Sequence, residues 1–547
     1  MRIKVVIFAL GTLVALPTMA LDADAVYING KIYTVNDAQP WVDAVAIQHG
    51  RFVAVGSDED IHEFIGPSTH VVDLGSRMAM PGIHDAHIHL SYSGLKWTHE
   101  CRLPVDPSLD EIVSALKQCR AERPSEPWLV AGEFNPNVLP NGKIDNKFLD
   151  EAFPNIPVYL YDYSIHHGLA NSTALSLAGI NEYKTDPSGG RIIRNSDTGE
   201  PTGELVETAT ELVTAAIPAY PDAVYRDAVL WAVRVANRYG ITSVQEASAT
   251  RETLVALKEL DEAGDLSLNI AAHLVWGSPK FGALNNQGLE RLIASREAYR
   301  TAHVDVDFIK VWMDGAPLPP HTTQASIDAD GRVDESKLLV TEKVLTRKLL
   351  EWDRQGVTAK IHVAGDGAAR VALNALQAMR KRNGQSDLRH GLAHAGFLSP
   401  QDMPRFKKLA VDAEMSPAIW HLTGALAMPS GFQFKTLYDH GARLVVGSDW
   451  IITPDPNLFP ALGGMLDRGE ESIDLGSALR ILTLNGAAAV GGATEFGSIE
   501  TGKSANMIVL NQNLFAIPKQ KIKTTEVMRT IFEGKIVYSR GTFSETP

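Results

Sequence analysis

The segment Pro81-Gly82-Ile83-His84-Asp85-Ala86-His87-Ile88-His89 places two histidines two residues apart. On a strand such residues share a face, so His87 and His89 could bind one cation through both imidazoles. Alone the pair is a weak signal, since histidines at this spacing also arise by chance in loops. The positions of four more residues strengthen it. Lys310 ends the apolar run Val306 to Ile309, His362 follows Lys360-Ile361, His394 follows Gly391-Leu392-Ala393, and Asp449 follows Leu444 to Ser448. Neutral imidazoles and a carboxylate suit zinc or a similar divalent ion. An ammonium cannot ligate, so Lys310 joins such a centre only deprotonated or carbamylated by carbon dioxide. In the second form its two oxygens could bridge two metals. The plainer alternatives are satisfied core histidines at His362 and His394, and an ion pair between Lys310 and Asp314.

These side chains converge only if the elements carrying them do. Eight strand-like runs alternate with helical stretches: Met80 to Leu90, Ile241 to Glu246, Asn269 to Val275, Val306 to Asp314, Thr358 to Val363, Arg389 to His394, Asp412 to Pro417 and Arg443 to Ser448. Eight such units predict an α/β fold, a closed (β/α)8 TIM barrel, and each candidate ligand then falls at the C-terminal end of a strand, where barrel active sites form. Helical runs such as Ala223 to Tyr239 and Glu342 to Gln355 fill several intervals. The stretch after the first strand far exceeds an ordinary connection, so residues from about 95 to 240 read as an inserted subdomain whose tip could close over the mouth. Glycine turns at Ile28-Asn29-Gly30-Lys31-Ile32-Tyr33, Ile47-Gln48-His49-Gly50-Arg51-Phe52 and Phe532-Glu533-Gly534-Lys535-Ile536-Val537-Tyr538 predict hairpins near both ends. They point to a small β-sandwich domain built from both termini, residues 21–80 with 495–547, around a barrel at 81–494.

At roughly 150 residues per domain, 547 residues leave room for three or four domains or one large barrel with appendages. A net charge of −14 argues against covering phosphate backbones and so against nucleic acid as a partner. Ordinary shares of hydrophobic (45%) and charged (21%) residues exclude long disorder, collagen and coiled coil. Arg2 and Lys4 ahead of the apolar run Val5 to Leu16, then Pro17, Thr18, Met19 and Ala20, have the layout of a signal peptide over residues 1–20. No later run reaches the ~18 apolar residues of a membrane span. A soluble chain exported to a periplasm or secreted is expected, with no stable membrane anchor. Two cysteines are too few for a disulfide scaffold. In an oxidising compartment, Cys101 in the loop before the helical run Ser108 to Arg120 could fold back onto Cys119; the alternative is two buried free thiols.

The sequence resembles the amidohydrolase superfamily, in its YtcJ-like branch of metal-dependent hydrolases. The resemblance runs through Pro81-Gly82 to His89, Asn171-Ser172-x-Ala174-Leu175-x-x-Ala178-Gly179-Ile180 and Ile309-Lys310-Val311-Trp312-Met313-Asp314-Gly315. It continues through His362-x-x-Gly365-Asp366, Gly447-Ser448-Asp449-Trp450 and Gly497-Ser498-Ile499-x-x-Gly502-Lys503. It implies that His87, His89, Lys310, His362, His394 and Asp449 form the metal site, holding one or two divalent ions with zinc the favoured identity. It also makes Asp449 the proton carrier, base and then acid, with His394 or the metal stabilising the oxyanion. His166 matches a histidine near the substrate in relatives, and Trp312, Asp314 and Trp450 join it as substrate-binding candidates. Trp312, Trp420 and Trp450 stand near strand ends, where aromatics wall an apolar pocket or simply pack. Two departures stand out: Asn506 where relatives carry an acid, and Glu133-Phe134-Asn135-Pro136-Asn137 where many have Gly-Trp. The implied activity is hydrolysis of a C–N bond in a small amide, N-acyl or cyclic-amide substrate, with a homodimer left open. An esterase or lactonase on the same site, and a catalytically silent binding protein, are the alternatives.

Overall fold

The computed structural model describes residues 22–104, 107–135, 144–162, 165–277, 284–317, 321–416 and 431–546. The signal segment 1–20, Pro136, Asn137 and Trp420 lie outside the described residues.

Eight parallel strands form the central sheet: Ile83–Ile88, Ile241–Ala249, Asn269–Trp276, Val304–Trp312, Thr358–His362, Gly391–Ala393, Asp412–Met415 and Arg443–Val446, each paired with the next in chain order. This is the TIM barrel. Its strands are buried along nearly their whole length because helices cover the outside. The helix Asp222–Arg238, from a stretch expected to be insertion, packs in that outer layer against the helices Leu90–Thr98 and Arg251–Glu262. Val229, Ala232, Val233 and Ala236 supply its buried stripe.

Two further sheets pair the chain ends. One has five strands, in the order Ser544–Thr546, His70–Asp73, Ala25–Ile28, Ala44–Gln48 and Arg51–Gly56. The other has six, in the order Lys535–Ser539, Val527–Phe532, Met507–Leu510, Met78–Pro81, Lys31–Tyr33 and Trp41–Val42. Tyr27, Val45, Phe52, Ile32, Ala79 and Met507 share the core between them. Two details differ from expectation. Met80 and Pro81 belong to the six-stranded sheet, pairing with Met507 and Ile508, so the barrel strand starts only at Ile83. Gly82 makes the change of direction possible, because a Cβ there would meet the Thr242 hydroxyl at 2.1 Å. Gly30 does not turn a hairpin: Ala25–Ile28 is flanked on both sides by His70–Asp73 and Ala44–Gln48, so Lys31–Tyr33 has no edge to join and crosses to the other sheet. The turns at His49-Gly50 and Glu533-Gly534 do close hairpins, with φ of 50° and 76°, and 47° and 75°, the left-handed pairs of such two-residue turns.

Between the first two barrel strands a fourth sheet orders Gly190–Arg194, Pro201–Glu207, His167–Ala170, Val158–Asp162 and Leu129–Phe134. Cys101 and Cys119 are joined in a disulfide, with Cα atoms 5.5 Å apart. The bond ties the chain leaving the barrel to the helix Leu109–Glu122, in a core with Ile112, Leu116 and Leu129.

At the barrel base His303 bridges Asp261 (2.6 Å) and Glu533 of the terminal sheets (3.3 Å). The Glu533 bond, and against burial the Asp261 bond, raise the imidazole from 6.5 to about 9. A raised histidine stabilises the folded state fully below its unfolded value and loses that contribution as pH rises through the folded one. His303→Gln is therefore expected to lower the melting temperature at pH 6 and to match wild type above pH 9, as calorimetry across that range will show.

Candidate active site

The site forms where the last barrel strand meets the first. Ile88 bridges Trp450, the His89 N–H donates to the Trp450 carbonyl (3.3 Å), and the Asp449 N–H donates to the His87 carbonyl (2.7 Å). Gly447 permits this approach, since a Cβ there would lie 2.4 Å from His87 Cβ. Asp85 fastens the seam: Oδ1 accepts the N–H groups of His87 (3.1 Å) and Ser448 (2.9 Å). Both of these bonds go to backbone amides, one on each side of the seam. Neighbouring His84 turns into the barrel, bonding Ser243 and Gln245.

Closure brings Asp449 Oδ1 to 3.3 Å from His89 Nε2 and 3.8 Å from His87 Nε2. Oδ2 is buried, 3.7 Å from His394 Nδ1, with no hydrogen-bond donor among the described residues. Lys310 Nζ lies 3.3 Å from His87 Nε2. The His394 ring is 4.7 Å from that of His87 and 4.6 Å from that of His362. All six expected metal-site residues therefore converge at the C-terminal mouth, but not equally. His362 Nε2 bonds the Gly315 carbonyl at 3.0 Å. Asp449 and His394 take φ of 52° and 69°, left-handed values uncommon outside glycine that concentrate at functional sites.

Burial first, then the charges of Lys310 and Lys360, holds His87 well below the ordinary imidazole range. Burial, then His362 and His87, does the same to His394. Both rings are thus neutral and carry lone pairs. His87, His89 and Asp449 offer ligand atoms all within 4.8 Å of one another, as do His87, His394 and Glu414. Neutral imidazoles beside a carboxylate with a bare buried oxygen are the donor set a divalent ion takes.

The substrate-binding candidates divide. His166, from the inserted segment, sits with its ring 5.6 Å from His362 and its Nδ1 2.8 Å from Glu207. Trp312 lies in a small apolar cluster with Val275 and Leu289, against which Tyr92 and Ile165 pack. Asp314 and Trp450 are placed otherwise. Asp314 is fully buried; its oxygens accept the N–H groups of Ala325, Ala364 and Gly365 and Oδ1 lies 3.7 Å from His362 Nε2, so it braces the loops behind that imidazole and does not pair with Lys310. Trp450 is buried against Trp231 of the outer layer, ring centres 5.9 Å apart, because its strand end turns outward once Asp449 faces in. His390 accepts the Ala359 N–H (2.9 Å) and is structural.

Sequence reasoning missed Lys96, Lys360, Glu207 and Glu414. Lys360 stands two before His362 and shares its face of the strand; a lysine in a buried run was the available signal. Lys96 donates to the Ile451 carbonyl (2.5 Å) and pairs with Glu133 (2.7 Å), the acid in the segment that departs from relatives. Ser93, on the same helix, donates to the Trp450 carbonyl at 2.5 Å. The helix after His89 therefore grips the turn after Asp449.

A model of the amidohydrolase family matches residues 70–538. The chain belongs to the amidohydrolase family. Among relatives, this amidohydrolase is 27% identical to the N-substituted formamide deformylase of Arthrobacter pascens, over 94% of this chain and 98% of that one. It is 25% identical to YtcJ of Bacillus subtilis, covering 94% and 99%. Among solved structures, a metal-dependent hydrolase of Pyrococcus horikoshii superposes with a TM-score of 0.69 at 21% identity, covering 91% and 99%. An adenosine deaminase of Xanthomonas campestris with bound zinc shares the fold at a TM-score of 0.57 and 14% identity, covering 94% and 92%. The protein is a metal-dependent hydrolase on a TIM barrel.

Lys96→Met removes the grip on Ile451 and leaves Glu133 without its cation. Turnover is expected to fall by between about tenfold and a hundredfold, the cost of misplacing a reacting group slightly, with the circular dichroism spectrum unchanged; steady-state kinetics on the purified variant measure it.

Proposed function

We propose that this amidohydrolase is an exported enzyme that hydrolyses a C–N bond in a small amide, N-acyl or cyclic-amide substrate. The observation that carries the reading is the convergence of His87, His89, His394, Lys310 and Asp449 on one buried point at the barrel mouth, with Asp449 Oδ2 bare. The deformylase relative, whose name gives an amide substrate, supports the choice of bond. The signal layout of residues 1–20 and the paired Cys101 and Cys119 support export. No helix among the described residues is long and apolar enough to cross a membrane.

His87, His89 and Asp449, with Lys310, His362 and His394 beside them, would hold one or two zinc ions, Lys310 in carbamylated form if two. A divalent ion there supplies a Lewis acid for the carbonyl and eases deprotonation of the attacking water. Asp449 accepts the proton of that water and returns it to the leaving nitrogen. The developing oxyanion would be stabilised by His394, whose Nδ1 lies 3.7 Å from Asp449 Oδ2, or by the metal. His166 and Trp312 face the substrate, the ring of Trp312 favouring an apolar or aromatic substituent.

Elemental analysis of protein purified without chelator, with a panel of N-acyl amides and matched esters, tests this. About two equivalents of zinc are expected, fewer in Lys310→Ala, with amides turned over faster than esters. In Asp449→Asn the rate should drop by about 10²–10⁴. Absence of metal, and of hydrolysis after metal is restored, would overturn the reading in favour of a binding protein; faster esters would make it an esterase.

A further inference from the structure

A buried ion pair stands behind the metal-site residues, and nothing in the proposed chemistry uses it. Glu414, on the seventh barrel strand, and Lys360, on the fifth, are 2% and 4% exposed in the barrel interior, a place usually filled by branched apolar side chains. Replacing such a pair by apolar residues is often neutral or stabilising, so burial in itself does not explain it. Its contacts do. Glu414 Oε1 lies 2.8 Å from His87 Nδ1, and Glu414 Oε2 lies 2.8 Å from Lys360 Nζ. Lys360 also donates to the carbonyl of Ala86, the residue before His87. One pair thus holds both the ring of His87 and the backbone that carries it.

We infer that Glu414, anchored by Lys360, is a positioning residue that fixes His87 as the Nδ1–H tautomer and turns its Nε2 toward Asp449 and Lys310. The two edges of the ring separate the roles. Nε2 faces Lys310 at 3.3 Å and Asp449 at 3.8 Å, while Nδ1 is the edge turned to Glu414. A carboxylate on Nδ1 accepts a hydrogen bond, which puts the proton there and the lone pair on Nε2. Lys360 neutralises the carboxylate, so this orientation adds no net charge to the barrel interior.

The inference rests on the metal-centre reading, and the test separates the two. Zinc dissociation constants are measured by chelator competition for wild type, Glu414→Leu and the double variant Lys360→Met/Glu414→Gln. The double variant removes both charges but keeps an oxygen to accept from Nδ1. In parallel, ¹⁵N spectra of histidine-labelled, metal-free protein report the tautomer of His87, assigned with a His87→Asn control. Glu414→Leu is expected to bind zinc about 10- to 100-fold more weakly and to lose the single Nδ1–H tautomer. The double variant, which keeps an acceptor for Nδ1 but loses the Lys360 bond to the Ala86 carbonyl, should keep that tautomer and bind zinc more tightly than Glu414→Leu while falling short of wild type. If Glu414→Leu fails to fold, the double variant and the wild-type spectrum still decide.

Three results would overturn the inference. One is wild-type zinc affinity in Glu414→Leu, which would leave Glu414 a merely structural role. A second is loss of one whole metal equivalent with the remainder bound as in wild type, which would make Glu414 a ligand. The third is an Nε2–H tautomer in wild type. Wild type that binds no zinc yet shows the Nδ1–H tautomer would sink the metal-centre reading and leave the positioning role standing.

Discussion

Everything at the barrel mouth depends on closing the sheet between its last and first strands. Ser448 and Asp85 are 363 positions apart, yet a 2.9 Å hydrogen bond joins them, and the neighbouring Asp449 amide donates to the His87 carbonyl. Without that closure His87 and His89 sit at one edge of a sheet and Asp449 at the other. Closure needs the backbones to approach within the reach of a Cβ, which Gly447 allows. Barrel geometry also requires the eight strands to stay in register around the ring, so errors anywhere in the sheet accumulate at this seam. The site is therefore a direct readout of whether the barrel has formed.

Strain and buried charge sit at the same place. The left-handed Asp449 and His394 each cost about 1–3 kcal/mol, and persist because the surroundings overdetermine them. The helix Leu90–Thr98 holds the turn after Asp449 through Ser93 and Lys96, and Glu133 ties that grip to the inserted sheet. On the opposite side His321 pairs with Glu204 at 2.6 Å, and Thr323 donates to Glu207, which also holds His166. The inserted segment is thus fastened to two strand ends of the barrel. It delivers His166 to the mouth while its own disulfide and core hold it in shape.

Much of this was legible in the chain, for a physical reason. Periodicity of two along a strand is local, and it carries one residue past the strand end at Ile88, so His89 stands beside His87 against Asp449. The barrel strands announced themselves as short runs with Val, Ile, Leu or Ala alternating with helical stretches, even where polar residues interrupt them, and the type of each candidate ligand showed at their ends. The Met80 boundary and the Gly30 turn were misread because both depend on which sheet has a free edge, and neighbours along the chain carry no record of that. Asp314 and Trp450 looked like pocket residues for the same reason. Whether a side chain beyond a strand end faces the mouth or the loops is decided by the loop's path, and Asp314 is captured by the amides of Ala325, Ala364 and Gly365.

By itself, then, the sequence determined which imidazole, carboxylate and amine groups stand at the barrel strand ends and the order in which the strands present them, since these follow from residue type and short-range geometry. Only the tertiary structure decided the pairings across the barrel: Asp449 with His89, Glu414 behind His87, Lys96 on Ile451, Glu207 on His166. Each joins residues far apart in the chain, and burial makes each contact obligatory, because an ion or polar group taken out of water must find a partner in whatever element the fold has brought beside it.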